Sequence, residues 1–189
     1  MERFIEFVLQ FGYLTPEQVE LVRTKGSEIR LHKDDHFWEA GKAVNQVGFL
    51  ADGVLRVFYY NKPGEEITRY FITENHLILP GAGNEKPYFA TEYLSAVTPC
   101  TLVVFSPKDW DCLAEHIAGW DTVVQKITAA HHLEKIERRS ELVSQTATER
   151  YLDFIRKFPT LINRVPLSFI ASYLGITQSS LSRIRKNIR

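Results

Sequence analysis

The strongest constraint on the fold is a change of apolar pattern at Pro107. Between about residues 27 and 106, short runs of branched and aromatic residues, such as 54–60 and 66–72, are separated by turns rich in Gly, Asp and Pro. After Pro107, apolar residues recur at steps of three and four. The first pattern is typical of strands and the second of helices, without the alternation of a parallel sheet. We therefore predict an α+β chain in which an antiparallel β jelly roll, preceded by two short helices near 2–10 and 15–24, is followed by helices.

The longest helical pattern spans 118–143 and carries an apolar stripe longer than one small domain needs to cover. Pairing with a second copy would bury that stripe, so we predict a homodimer interface formed by Val123, Val124, Ile127 and Ala130. Thr146 and Glu149 then fit a capping box that starts a separate helix. The predicted divisions are a β-rich sensing domain at 1–117, a dimerisation helix at 118–145 and an all-α terminal domain at 146–189.

The charge of the chain is balanced overall but unevenly distributed. The formal net charge is zero, with 23 basic and 23 acidic side chains. Residues 151–189 hold seven of the basic side chains and one acid, Asp153, for a local charge of +6. A basic terminal domain on an acidic body is what phosphate binding requires.

Residues 165–188 have the pattern of a helix, a tight turn and a second helix. Gly175 stands where the first helix must end at positive φ, and Thr177 can cap the next helix. With Leu181 and Ile184 facing inward, the outer face of that helix contains no acid. Gln and Arg can form paired hydrogen bonds to base edges, and Ser can bond to phosphate. The alternative is a structural three-helix domain that binds nothing. The pattern and charge together favour DNA binding, with contacts predicted at Gln178, Ser179, Ser180, Arg183, Arg185 and Lys186.

The arrangement as a whole resembles the Crp/Fnr, or catabolite-activator, family of bacterial regulators. Segment 49–57 is similar to the strand–Gly–strand signature of its cyclic-nucleotide-binding fold, 118–143 to its dimerisation helix, and 170–185 to its helix-turn-helix. The resemblance implies that Gln178, Ser179 and Arg183 read bases and that Ser180 contacts phosphate. It also implies that an effector in the β domain repositions the DNA-binding domains through the long helix.

The sequence departs from that family in its effector pocket. Where cyclic-nucleotide binders carry a Gly-Glu pair and an Arg, this chain has Leu79, Pro80 and Ala90. A buried phosphate without its cation loses strong charge-assisted hydrogen bonds, so we expect an effector other than cAMP or cGMP. The predicted pocket comprises Leu79, Pro80, Gly81, Ala90, Thr91 and Lys135. The second helix is not followed by the family's winged hairpin in this sequence, so we expect either a wingless branch of the family or hairpin strands at another place in the chain.

Other classes of function find little support in the sequence. Cys100 and Cys112 are too few to ligate an iron–sulfur cluster and are expected to be reduced thiols in a cytoplasmic protein. His76, His131 and His132 are candidate haem or metal ligands, but polar surface or pocket-lining roles are favoured for them, and Glu65-Glu66 and Asp34-Asp35 are interpreted as solvated loop carboxylates. No phosphate loop or nucleophile elbow is present.

We expect a transcription regulator that is not an enzyme, has no cofactor or membrane span, and binds inverted-repeat double-stranded DNA, RNA polymerase and a small-molecule effector. A small-molecule-binding β-sandwich without a DNA role is the alternative.

Overall fold

Two four-stranded antiparallel sheets lie face to face at the centre of the molecule, with helices on both outer faces. The computed structural model describes residues 1–80, 87–139 and 145–188, and for residues 134–139 the course of the backbone only. The strands are β1 Ser27–Leu31, β2 His36–Trp38, β3 Val47–Asp52, β4 Leu55–Tyr60, β5 Glu66–Ile72, β6 His76–Ile78, β7 Tyr93–Ala96 and β8 Cys100–Phe105. The first sheet has the strand order β1-β8-β3-β6 and the second β2-β7-β4-β5.

The helices fall into two groups along the chain. They are α1 Glu2–Leu9, α2 Pro16–Lys25, α3 Pro107–His116, α4 Trp120–Arg139, α5 Ala147–Lys157, α6 Leu167–Leu174 and α7 Gln178–Asn187. Thr146 forms the predicted capping box with Glu149, and Thr15 forms another with Gln18. Within the described residues, none of the helices is long and apolar enough to cross a membrane.

Side chains alternate across each sheet and so divide the interior into three cores. Leu50 and Leu102 of the first sheet meet Leu55 and Leu94 of the second in the core between the sheets. The outer face of the first sheet packs against α1 to α4 around Phe49. The outer face of the second sheet packs against α5 to α7 through Val54, Phe71 and Val97. The helical carboxyl-terminal unit and helix α4 therefore lie on opposite sides of the two sheets.

The structure refines the bounds of the elements predicted from the sequence. The long helix begins at Trp120 rather than 118, because Gly119 has φ +86 and interrupts the helical backbone. Segment 73–92, which follows the last strand run named above, contains strand β6 and a bridge between Ala43 and Phe89. The part of the long helix predicted at 140–143 lies outside the described residues.

Candidate functional site

Helices α6 and α7 are joined by a tight turn whose geometry depends on Gly175. This glycine adopts the left-handed conformation, with φ 65 and ψ 36. Its N–H donates to the Ser172 carbonyl, and the Ile176 N–H donates to the Ala171 carbonyl, which satisfies the end of α6. Thr177 then caps α7 by accepting a hydrogen bond from the Ser180 N–H. The turn is thus fixed by the residue types that predicted it.

One side of α7 is held in the helical core and the other is open. Leu181 is fully buried beside Ile170, Ala171 and Leu174, and Ile184 is partly buried against the same core. The residues exposed on the opposite side are polar or basic, namely Gln178, Ser179, Arg183 and Lys186. The first turn of α7 carries no acid and its last turn carries Arg185 and Lys186.

Two of the six predicted DNA-contacting residues are less exposed than the others. Ser180 is half-buried, and its hydroxyl accepts a hydrogen bond from Thr177 Oγ1 at 2.9 Å. Arg185 is half-buried beside a shallow depression of about 170 Å³ that is also lined by Leu167, Ser182 and Lys186. The structure therefore groups all six residues on one helix, with four of them presented directly to solvent.

The basic charge of the carboxyl-terminal unit is only partly neutralised. Arg156 and Lys157 form ion pairs with Asp153, and Arg164 pairs with Glu74 of the β region. Across residues 145–188, these pairs involve α5 and the segment before α6. The cations at the end of α7 thus contribute to the positive potential of the open face.

A cavity of about 210 Å³ lies where the second sheet meets the segments around residues 76–79 and 88–92. Leu79, Ala90 and Thr91 line it as predicted, together with the aromatic rings of Trp38, Tyr70, Tyr88 and Tyr93. Pro80 is not part of the described lining, Gly81 lies outside the described residues, and nothing is described of the Lys135 side chain. The described lining contains one carboxylate, that of Glu92, which pairs with Arg69 at 2.8 Å. None of the described lining residues is Arg or Lys.

Two of the histidines considered as metal ligands, His76 and His131, stack on each other. The rings of His76 and His131 lie 3.7 Å apart at an interplanar angle of 8°. The nitrogen lone pairs of an imidazole lie in the ring plane, so two face-to-face rings cannot direct them at one ion. No group of three or more potential metal ligands occurs among the described residues.

Two residues predicted at the dimer interface are instead buried within one chain. Val123 is 7% exposed and Ile127 is 1% exposed, both in the core formed with α1 and the first sheet. Burial of this extent leaves them little surface for contact with a second copy. Val124 is half-buried against the same core and Ala130 is exposed. The large exposed apolar side chain on the described part of this helix is Leu133.

Sequence reasoning missed Arg56, an arginine that is 2% exposed in the centre of strand β4. Its Nε donates to Thr68 Oγ1 at 2.8 Å, and its Nη1 donates to Glu66 Oε2 at 2.5 Å. Its guanidinium lies 3.9 Å from the centre of the Phe169 ring on α6. Glu66 therefore lies in strand β5 and pairs with Arg56, rather than in a loop as predicted, although its side chain is 40% exposed. The signal in the sequence that could have identified Arg56 is a charged residue within the apolar run Leu55-Arg56-Val57.

No protein-family model and no curated protein sequence matches the chain, so the comparison depends on solved structures. The structure is similar to FixK2 from Bradyrhizobium japonicum, with TM-score 0.71 and 17% identity over 86% of this chain and 84% of that one. The c-di-GMP responsive global regulator CLP from Xanthomonas campestris gives TM-score 0.73 and 12% identity, over 92% and 91%. A putative transcriptional regulator of the Crp/Fnr family from Eubacterium rectale gives TM-score 0.71 and 14% identity, over 92% and 83%. The fold is that of Crp/Fnr regulators. The similarity spans both the sheets and the carboxyl-terminal helices of the Crp/Fnr fold.

Proposed function

We propose that this chain is a sequence-specific, double-stranded-DNA-binding transcription regulator in which α7 enters the major groove. The observation that carries the proposal is the acid-free open face of α7, with Gln178, Ser179 and Arg183 exposed above a buried Leu181. An α-helix fits the major groove, and this set of donors can satisfy base edges and phosphates. An enzyme or a structural helical domain would not need such a face.

The residues of α7 take different roles in this proposal. Arg183 reads a guanine by paired hydrogen bonds, and Gln178 reads a neighbouring base. Ser179 and Ser180 lie at the start of the helix, where hydroxyl groups and backbone N–H groups both suit phosphate or base contact. Arg185 and Lys186 contact phosphate and contribute equally to any sequence.

We further propose that the DNA-binding form is a twofold dimer joined along α4. With Val123 and Ile127 buried in the chain's own core, the seam is assigned to exposed residues further along the helix, Ala130 and Leu133. Leu133 is 63% exposed, and pairing with its copy would remove that apolar surface from water. A twofold dimer requires an inverted-repeat operator with half-sites about one helical turn, or ~34 Å, apart.

The cavity beside Tyr70 and Tyr88 is proposed as the effector site. Its described lining combines aromatic and apolar side chains with His76, Thr91 and one paired carboxylate, and it contains no Arg or Lys. A compact ligand with a flat body and no phosphate therefore suits it better than cAMP or cGMP. RNA polymerase is the proposed protein partner at the promoter.

Duplex binding measured at several salt concentrations tests the proposed function. For duplex DNA, the slope of log affinity against log salt is about −0.9 for each phosphate that the protein neutralises. We expect Lys186→Ala to make this slope shallower by about 0.9, the value for one phosphate, on every duplex sequence. The reason is that the substitution removes one cation that contacts the DNA backbone. Arg156→Ala, which removes an exposed cation of α5 paired with Asp153, is the matched control and should leave the slope unchanged. Absence of salt-dependent duplex binding by the wild-type chain would exclude the function.

A further inference from the structure

Strand β5 carries the effector cavity on one face and the DNA-binding unit on the other. Tyr70 and Ile72 line the cavity. Phe71, between them, points to the opposite face because side chains alternate along a strand. Its ring lies 6.3 Å from that of Phe154 in α5 and 5.7 Å from that of Tyr173 in α6. Adjacent residues of one strand therefore contact both regions.

Backbone groups of the same strand are bonded directly to α6. The Thr68 N–H donates to Ser172 Oγ at 2.9 Å, and that hydroxyl donates to the Glu66 carbonyl at 3.1 Å. Because β5 is the last strand of its sheet in the described residues, these are the groups a further strand would otherwise take. One serine hydroxyl of the helix-turn-helix thus satisfies both a donor and an acceptor of β5.

The buried Arg56 strengthens the same junction from the neighbouring strand. Its hydrogen bonds hold Thr68 and Glu66, the two residues whose backbone groups bond Ser172. Its guanidinium is covered by the Phe169 ring of α6 and, at 4.4 Å, by that of Phe58. A cation held between aromatic faces away from water favours the docked position of α6.

We infer that β5 transmits the state of the effector cavity to the DNA-binding unit within one chain. A ligand that displaces Tyr70 or Ile72 moves a strand whose opposite face and outer edge hold α6, so its binding shifts the docking of α6. This route is separate from α4, which lies beyond the first sheet. It rests on the proposed function for its biological readout, although the coupling itself is a property of the folded chain.

Hydrogen exchange at the Thr68 amide, resolved by NMR on the full chain, measures the docking directly. Ser172→Ala should increase this exchange because the amide loses its acceptor, which calibrates the probe. Tyr70→Ala should also increase it, by about fivefold or more, as expected for coupled sites. Tyr88→Ala removes the same ring from a part of the cavity wall outside β5 and should change the exchange by less than about twofold.

Equal effects of Tyr70→Ala and Tyr88→Ala, or none from Tyr70→Ala, would overturn the inference. Should Tyr70→Ala unfold the chain, Ile72→Val trims the same face by one methylene and is judged by the same comparison. Because exchange is measured without DNA, coupling in a chain that binds no duplex would refute the proposed function alone. Duplex binding without coupling would refute only the β5 route.

Discussion

At the scale of single residues, substitutions of Arg183 and Lys186 can separate the proposed base reading from a non-specific effect of charge. Both residues are exposed on α7. The guanidinium of Arg183 can form paired hydrogen bonds to guanine, whereas the ammonium of Lys186 acts as a point charge. The structure gives them the same helix and similar access to solvent. Any difference between their substitutions must therefore come from the chemistry of the side chains.

We predict that Arg183→Ala removes the preference at one base in each half-site. Without a paired guanine contact, discrimination there should fall by about 1–3 kcal/mol, since the guanidinium is the group that reads it. Selection of bound fragments from random duplexes, run in parallel on wild type and Arg183→Ala, measures the effect. A consensus unchanged by Arg183→Ala would mean that α7 does not read bases and that its charge acts non-specifically.

At the scale of elements, helix α4 carries apolar residues in two different surroundings, the first group buried near its beginning and the second exposed further along the helix. Its 20 residues span about 30 Å. Val123 and Ile127 pack in the chain's own core, whereas Ala130 and Leu133 are exposed to solvent. The two groups can therefore be perturbed separately, the buried group to affect folding and the exposed group to test the proposed assembly.

We predict that Leu133→Asp converts the dimer to a monomer without unfolding the chain. A carboxylate at each of two facing positions would be buried without a partner, which strongly opposes association. Sedimentation at micromolar concentration measures the mass, and the far-ultraviolet circular dichroism spectrum checks the fold. Gln125→Asp, at an exposed position on another side of α4, should remain dimeric. If Leu133→Asp had the wild-type mass, the seam would lie elsewhere.

The elements that could be predicted from sequence are those determined by local patterns. Strand β5 at Glu66–Ile72 and the turn at Gly175 follow from alternation and from a single required backbone conformation. The stripe on α4 predicted a buried helix face, but a stripe does not say whether its own sheet or a second chain covers it. Arg56 could not be placed because Glu66, Thr68 and Phe169 come together only in the folded chain.

At the scale of the whole molecule, an ion pair between Arg164 and Glu74 joins the carboxyl-terminal unit to the β region, in addition to the packing against the second sheet. Glu74 accepts from both terminal nitrogens of Arg164, at 2.5 and 3.3 Å, and from the Gly53 N–H at 3.1 Å. Burial of the carboxylate raises its pKa, but the hydrogen bonds and charge of Arg164 outweigh this and the pKa of Glu74 is lowered. The ionised form of Glu74 therefore stabilises the folded, docked chain.

We predict that this stabilisation disappears in acid. Because the pKa of Glu74 is lower in the folded chain than the ordinary value of about 4.3, its contribution is complete above that pH and disappears as the pH falls through the folded pKa. The difference in Tm between wild type and Glu74→Gln should then shrink between neutral pH and about pH 3. Arg164→Gln should show the same trend, since it removes the other partner. A Tm difference independent of pH would contradict the assignment.

The hydroxyl of Ser172 on the edge of β5 also bears on solubility. An uncovered strand edge is a template for any extended segment, including the same strand of another molecule. While α6 is docked, the Thr68 N–H and the Glu66 carbonyl are occupied and this route to aggregation is closed. A response that released α6 completely would open it. Docking of α6 therefore protects the edge of β5 from pairing with other molecules as well as holding the helix in place.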